Sequence, residues 1–409
     1  MNARRIVLPA LLALAALAAQ AQEPKWVGSW GASPLPPSPG AGPFPATPSF
    51  NDQTVRQIVR LSVGGSRVRL RLTNEYGAKT VTIGAARVSL ADGIEIKAGT
   101  EKVVTFDGRP SATIVAGAPL VSDPIDLAVP DLATLSVSLY LKGEAGPCTC
   151  HATGMQDAYV ARGDHTQGTF APEQTTQMRA FLSGVEVLAP NAQAIVVLGD
   201  SISDGVGSTV GANRRWPDLL AERLDARKSG TRFGVVNQGI SGNQVLADGA
   251  GQSALARFDR DVLSVPGAAY VVVFEGVNDL GLGYGKLDGP LASIMPPPAI
   301  KPTRDAMVAG YLQIIARAHA KGLKVYGATI APYEGAAYYS TEGNAVRQAI
   351  NDWIRTSKAF DGVLDFDAAF RDPAKPTQMK DVFQAGDHLH GSDAGYRAVA
   401  DSIDLALFR

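Results

Sequence analysis

Cysteine is scarce in this sequence of 409 residues, which contains only Cys148 and Cys150. A zinc site normally needs four ligands at wider spacing, so a metal held by this pair together with His151 is the less favoured interpretation. The two thiols can instead pair with each other, although an i, i+2 pair needs a local turn to bring its Cα atoms within bridging distance. We therefore predict a local disulfide, and we expect no resident metal or other cofactor.

An excess of charge of either sign is also absent. Lysine and arginine number 38 against 39 aspartates and glutamates, and the formal net charge is −1. This balance leaves no electrostatic reason to expect binding to nucleic acid or to an anionic membrane. The expected partner is a small or uncharged molecule.

Long apolar runs are missing beyond the start of the chain. There, two arginines precede an apolar run over residues 6–19, and small residues up to Ala21 offer a cleavage point. This pattern predicts a signal peptide over residues 1–21 and a secreted or periplasmic mature protein, with an uncleaved anchor as the alternative. No later segment approaches the roughly 20 apolar residues of a membrane helix, so no stable membrane insertion is expected.

Alternating apolar residues dominate the first half of the chain. Val59, Leu61 and Val63 alternate with polar residues, a glycine-rich turn follows, and a similar run resumes at Val68. No convincing helix precedes about residue 190, and the chain is long enough for two domains. We therefore predict that residues 22–188 form an antiparallel β-sandwich or jelly-roll accessory domain.

Short apolar runs then alternate with amphipathic segments, which is typical of parallel strands joined by crossover helices. The predicted strands are 194–198, 233–236, 269–274, 324–329 and 362–366. The predicted helices are 216–228, 254–263, 304–320, 344–357 and 392–407. The pattern predicts that residues 189–409 form an α/β domain with a five-stranded doubly wound parallel sheet. Ligands in such domains bind beyond the carboxyl ends of the strands.

One candidate nucleophile follows the first of these strands, in Gly199-Asp200-Ser201. A serine hydroxyl reacts poorly until a base removes its proton, so Ser201 alone is weak evidence. The stretch lacks the second glycine of the Gly-x-Ser-x-Gly elbow found in α/β-hydrolases.

A candidate base lies near the other end of the chain, in Asp387-His388-Leu389-His390. On a turn, the Asp387 carboxylate can bind one imidazole nitrogen of His390, which leaves the other nitrogen for Ser201. His388 competes for this role, but its side chain is expected to point elsewhere because it is only one residue from Asp387.

Acyl transfer also needs hydrogen-bond donors for the developing oxyanion. After the second strand, the backbone N–H of Gly242 can approach a substrate because no side chain blocks it. After the third strand, Asn278 can donate through its side-chain amide. The backbone N–H of Ser201 at the start of a helix is a third candidate.

Together the Gly-Asp-Ser stretch, the Gly242 segment, the Gly-x-Asn-Asp stretch and the Asp-x-x-His turn resemble the SGNH (GDSL-type) hydrolase family over about residues 190–409. The resemblance implies a flavodoxin-like three-layer α/β/α domain. It also implies ester hydrolysis by Ser201, His390 and Asp387, with Ser201, Gly242 and Asn278 as the oxyanion hole. The accessory domain carries no motif of comparable specificity.

The expected substrate is a small-molecule or glycan ester, with short-chain or acetyl esters of carbohydrates favoured. Longer acyl chains, as for a lipase or phospholipase, and transfer of the acyl group to a sugar hydroxyl are the alternatives, while a non-catalytic carbohydrate-binding protein is the least favoured.

Other residues are interpreted as structural. Asp200, Ser203 and Asp279 are expected to brace loops or cap helices. His151, His165 and His319 are expected to be ordinary polar or surface residues without a matched partner. The Gly- and Pro-rich segment 281–302 is long for a strand-to-helix loop, which indicates a lid or a substrate wall, with a passive insertion as the alternative.

Overall fold

A computed structural model of the protein describes residues 25–41, 45–168, 170–227, 230–289, 292 and 295–409. The predicted signal peptide at residues 1–21 therefore lies outside the described residues. Among the helices described, none combines the length and the apolar character needed to cross a membrane.

Antiparallel β-strands make up the first part of the chain, as predicted. They are β1 (Trp26–Gly31), β2 (Phe50–Arg60), β3 (Val68–Thr73), β4 (Val81–Asp92), β5 (Glu95–Ile96), β6 (Lys102–Val103), β7 (Ala112–Ile114), β8 (Pro119–Val121), β9 (Thr134–Ala145), β10 (Cys150–His151), β11 (Ala158–Arg162), β12 (Gln174–Thr176), β13 (Arg179–Ala180) and β14 (Leu182–Leu188). Burial alternates along β3, as expected of a strand with one face on a core.

These strands form two main sheets. One has the order β1-β14-β3-β8, and the other has the order β12-β11-β2-β9-β4-β5, with β6 and β7 also paired to β4. Buried side chains of both sheets belong to a single hydrophobic core. A β-rich antiparallel domain is therefore present, while the choice between a sandwich and a jelly roll stays a prediction.

Cys148 and Cys150 form a disulfide, with their Cα atoms 5.4 Å apart. The local bridge expected from the sequence is thus present. Because both thiols are used in it, they are not available as zinc ligands.

A five-stranded parallel sheet follows, and this prediction is also confirmed. Its strands are β15 (Ala192–Gly199), β16 (Arg232–Gly239), β17 (Ala268–Phe274), β18 (Lys324–Ala328) and β19 (Gly362–Leu364). The helices are α1 (Ser201–Asp204), α2 (Trp216–Ala226), α3 (Ala254–Phe258), α4 (Val277–Tyr284), α5 (Arg304–His319), α6 (Thr341–Thr356), α7 (Phe366–Phe370) and α8 (Asp393–Ser402). A π-helical turn at Asp259–Leu263, 3₁₀ turns at Asp381–Phe383 and Leu405–Leu407, and a small hairpin of β20 (Arg371–Asp372) and β21 (Lys375–Met379) complete the elements.

The strand order places the candidate site. The sheet runs β16-β15-β17-β18-β19, which is the 2-1-3-4-5 order of flavodoxin-like folds. The connections after β15 and β16 leave the sheet in opposite directions, so a crevice opens between the carboxyl ends of β15 and β17. Ser201 follows β15 and Asn278 follows β17 at this crevice.

Several predicted boundaries are wrong. The predicted strand 362–366 ends at Leu364, because Asp365 caps a helix instead by accepting the backbone N–H of Ala368. The predicted helix 392–407 stops at Ser402, where the backbone turns extended. The helix α4 was not predicted, because its two glycines read as loop residues.

The two parts of the chain are closely joined. The backbone N–H of Gly28 in β1 donates to the carbonyl of Pro266 at 2.9 Å, and that of Val235 in β16 donates to Ser62 Oγ at 2.7 Å. Ala194 and Val236 of the parallel sheet pack into the core of the β-rich part. The predicted boundary between residues 188 and 189 falls between β14 and β15 and stays a prediction.

Candidate active site

Ser201 begins α1 directly after β15. Asp200 caps this helix, because its Oδ1 accepts the backbone N–H of Ile202 at 2.9 Å. Ser201 itself is buried, and its own backbone N–H donates to no described residue. A free N–H at a helix start can receive a developing negative charge.

The Asp387–His390 turn reaches Ser201 across 189 positions of sequence. His390 Nε2 lies 2.8 Å from Ser201 Oγ, and His390 Nδ1 lies 2.6 Å from Asp387 Oδ2. The structure therefore brings the three residues predicted as catalytic into one chain of hydrogen bonds. His388 adopts a positive φ of 59° and does not take part in this chain.

The Asp387 carboxylate is held in its ionised form. Burial alone raises its pKa, but the hydrogen bond and electrostatic attraction of the His390 ring and the backbone N–H groups of His390 and Leu389 outweigh that effect. The net result is a pKa below the ordinary value for aspartate. An ionised Asp387 orients the imidazole and stabilises its protonated form.

The Gly242 loop borders the same crevice as Ser201 and the Asp387 turn. Gly242 has φ = +82°, which favours glycine, and its N–H donates to no described residue. A Cβ atom at this position would lie 2.9 Å from Cβ of Ala250 and 3.0 Å from Cε of Met295. Any side chain here would therefore be both strained and crowded.

Asn278 is oriented by two neighbours. The Tyr338 hydroxyl donates to Asn278 Oδ1 at 3.0 Å, and Asn278 Nδ2 donates to the carbonyl of Asn243 at 2.9 Å. No described residue accepts the second N–H of this amide, which therefore remains for a ligand. Gly281 makes this possible, because a Cβ there would lie 1.8 Å from the Tyr338 ring.

One arginine ties the three motif loops together. Arg257 on α3 is fully buried and donates to the carbonyls of Gly199 at 3.0 Å and Gln238 at 2.6 Å, at the carboxyl ends of β15 and β16. It also donates to Asn243 Oδ1 at 2.9 Å and to Glu275 Oε1, after β17, at 3.2 Å. Arg257 was not predicted as a site residue, because a single arginine within an amphipathic helix carries no signal of its own.

A buried histidine of the β-rich part contacts the same loops, which corrects the prediction that His151 lacks a partner. His151 Nε2 lies 2.9 Å from Asp204 Oδ1 at the end of α1. Asp204 Oδ2 in turn accepts the backbone N–H of Ser241 at 3.0 Å and its hydroxyl at 2.7 Å. His151 thus supports the loop that carries Gly242 through a single carboxylate.

The contacts of His151 identify its protonation state. Its Nδ1 faces the carbonyl of Ser33 at 2.9 Å, and its Nε2 faces Asp204 and the carbonyl of Thr153. Carbonyls and carboxylates only accept, so both ring nitrogens must donate. Burial lowers the pKa of His151, but Asp204 and these acceptors outweigh burial and raise it above its ordinary value.

The remaining structural interpretations have mixed outcomes. Asp279 accepts the backbone N–H groups of Val245 and Leu246, so it braces the loop after Gly242 as expected. His319 is not without a partner, since its Nε2 lies 2.8 Å from Asp361 Oδ2.

A cavity of about 490 Å³ opens in front of Ser201. It is lined by Ser201, Val206, Ser241, Gly242, Asn278, Leu287, Met295, Tyr338 and residues 335–337 and 386–390. Leu287 and Met295 belong to the segment 281–302, so part of this segment forms a wall of the cavity, as one interpretation expected. Residues 290, 291, 293 and 294 of the segment lie outside the described residues.

A hydroxyl, an imidazole and a carboxylate at the carboxyl edge of a parallel α/β sheet form the arrangement that serine hydrolases use. Residues 197–398, just under half of the chain, match the model of the GDSL-like lipase/acylhydrolase family. This part of the chain belongs to that family and is a carboxylic-ester hydrolase domain, as the sequence motifs predicted. No curated protein matches the chain.

Solved structures similar to the chain include a GDSL-like lipase from Bacteroides thetaiotaomicron (17% identity, 53% of this chain and 87% of that chain, TM-score 0.38). Another is a lipase/acylhydrolase from Enterococcus faecalis (20% identity, 51% of this chain and 92% of that chain, TM-score 0.38). A third is a variant of an acetyl xylan esterase from Geobacillus stearothermophilus (21% identity, 53% of this chain and 94% of that chain, TM-score 0.38). Each covers about half of this chain.

Replacing Arg257 by methionine should lower the free energy of unfolding by about 3–5 kcal/mol, because it leaves Glu275 and other buried acceptors without their charged partner. Urea unfolding at neutral pH measures this loss. The control is Arg304→Met, which removes only a surface pair with Asp305 and should cost less than about 1 kcal/mol. Equal losses in the two variants would contradict the role given to Arg257.

Replacing His151 by glutamine should destabilise the protein in a pH-dependent way. Because the pKa of His151 is raised in the folded state, its stabilisation is complete below its unfolded pKa of about 6.5 and is lost as pH rises through the folded pKa. Urea unfolding between about pH 5.5 and about pH 9 should therefore show the largest difference from wild type at the acidic end.

The matched control is His165→Gln, since the His165 side chain hydrogen-bonds to no described residue. It should show no such trend. A loss in His151→Gln that is the same at every pH would show that the protonated ring is not what stabilises the fold.

Proposed function

We propose that the protein hydrolyses carboxylic esters through an acyl-enzyme on Ser201. The observation that carries this proposal is the chain of hydrogen bonds from Ser201 Oγ through His390 to Asp387. The Ser201 oxygen attacks the carbonyl carbon while its proton passes to His390 Nε2. His390 then gives this proton to the leaving alcohol oxygen as the ester bond breaks.

Water completes the cycle. It attacks the acyl carbon with His390 as the base, the bond to Ser201 Oγ breaks, and the carboxylic acid leaves as Ser201 regains its proton. In both stages the negative charge develops on the former carbonyl oxygen. The N–H groups of Ser201 and Gly242 and the Nδ2 of Asn278 are the proposed donors to that oxygen, because all three line or border the same crevice.

The proposed substrate is an uncharged small-molecule or glycan ester. The sequence favours short-chain or acetyl esters of carbohydrates, with longer acyl chains as the alternative. We also propose that the mature protein acts outside the cytoplasm, after removal of residues 1–21. The near-neutral net charge of the chain supports an uncharged substrate, whether its acyl chain is short or long.

Ser201→Ala should abolish release of p-nitrophenol from p-nitrophenyl acetate, because no nucleophile remains beside His390. Ser203→Ala is a matched control: the Ser203 hydroxyl is buried two residues away without a described hydrogen-bond partner, so its loss should leave turnover unchanged. An organophosphonate should label Ser201 in the wild type, as detected by mass spectrometry of the peptide. Substantial turnover by Ser201→Ala would remove Ser201 from the mechanism.

Asn278→Ala should lower kcat about 10²- to 10³-fold, as expected for loss of an oxyanion donor. Tyr338→Phe should lower kcat by a smaller factor with little change in KM, because Tyr338 acts only by orienting the Asn278 amide. The double variant should be no slower than Asn278→Ala alone, since both changes remove one function.

Tyr339→Phe serves as the control for Tyr338→Phe, because Tyr339 is a neighbouring tyrosine that does not line the cavity. Its kcat should match that of the wild type. Additive losses in the double variant would instead mean that Tyr338 contributes independently of Asn278.

A further inference from the structure

A second cavity lies between the two parts of the chain. It has a volume of about 340 Å³ and is bordered on one side by residues 35–39, Pro45 and Thr47, four of which are proline. Ala152 and Met178 of the β-rich part also line it, and Ala250 and Pro296 of the hydrolase domain close the other side. Neither part of the chain would form this cavity alone.

The second cavity adjoins the catalytic one. Ser241 and Met295 line both cavities. Ala250, on the wall of the second cavity, lies 2.9 Å from the place that a Cβ of Gly242 would occupy. The loop of the proposed oxyanion hole is therefore the partition between the two cavities, and the flexible Met295 side chain lies at their junction.

The lining of the second cavity suits hydrocarbon. Among the described residues that line it, none is charged, none is aromatic, and five are proline. A buried sugar needs a hydrogen-bond partner for each of its hydroxyls. This wall offers few such partners beside its threonine and serine side chains, whereas an alkyl chain needs only apolar contact.

The direction of proton transfer decides which part of an ester faces this cavity. His390 must reach the leaving alcohol oxygen, so the alcohol lies on the side of residues 386–390. These residues line the catalytic cavity and not the second one. The acyl group then extends away from His390, and Ser241 and Met295 mark the part of the catalytic cavity that adjoins the second one.

We propose that the second cavity binds the acyl chain of the substrate, and that this chain is longer than acetyl. This inference rests on the proposed function and selects between its two substrate alternatives, because a second cavity of about 340 Å³ beyond the Gly242 loop has room for an acyl chain longer than acetyl. The β-rich part thereby supplies one wall of the substrate site.

The test compares p-nitrophenyl acetate, butyrate and octanoate in the full-length protein. The wild type should give a higher kcat/KM for octanoate than for acetate. Ala152→Val and Ala152→Phe should lower the ratio of kcat/KM for octanoate to kcat/KM for acetate, because the larger side chains fill the second cavity. The decrease should be greater for phenylalanine, at about tenfold, than for valine. Ala171→Phe, an exposed alanine of the β-rich part that lines neither cavity, should leave the ratio unchanged.

Three results would overturn the inference. One is a wild type that prefers acetate, and another is a ratio that Ala152→Phe does not change in a protein whose thermal unfolding is unaltered. The third is that the Ala152 variants change the preference among acetates of different alcohols and leave the preference among acyl chains unchanged. In each case hydrolysis of acetate that depends on Ser201 would show that the proposed function still stands.

Discussion

One buried cation, Arg257, joins the three motif loops that follow the strands of the parallel sheet. The guanidinium of Arg257 binds the carboxyl ends of two neighbouring strands, a side chain of the Gly242 loop and the carboxylate that follows the third strand. The loops that carry Ser201, Gly242 and Asn278 are thus fastened to one rigid group. Fully buried charges of this kind are tolerated only when every partner is in place, so the site is built as a unit.

The β-rich part belongs to the site as well as to the fold. Its His151 contacts Asp204, and Asp204 holds the loop that presents Gly242. Its proline-rich segment forms a wall of the second cavity. Hydrogen bonds and a shared core join the β-rich part to the parallel sheet, so the two parts pack as one structural unit.

Much of the architecture could be predicted from the sequence. The five parallel strands are short, mostly apolar runs, and buried strands of this kind can be recognised from their own residues. Three short motifs that follow strands and a fourth that precedes the last helix predicted where the candidate site lies, because parallel strands present their carboxyl ends at one edge. The helix α4 could not be predicted, since its glycines are explained only by tertiary contacts: the Tyr338 ring packs on Gly281 and the Pro302 ring packs on Gly283.

By itself the sequence determined the class of fold, the family of the second part, and the residues of the Asp387–His390 turn, because each depends on local pattern or on short motifs. Only the tertiary structure decided that His390 lies 2.8 Å from Ser201, that Arg257 joins three loops, and that His151 is buried against Asp204. These contacts join residues that are distant along the chain, and no local pattern encodes which distant partner a side chain meets once the sheet has folded.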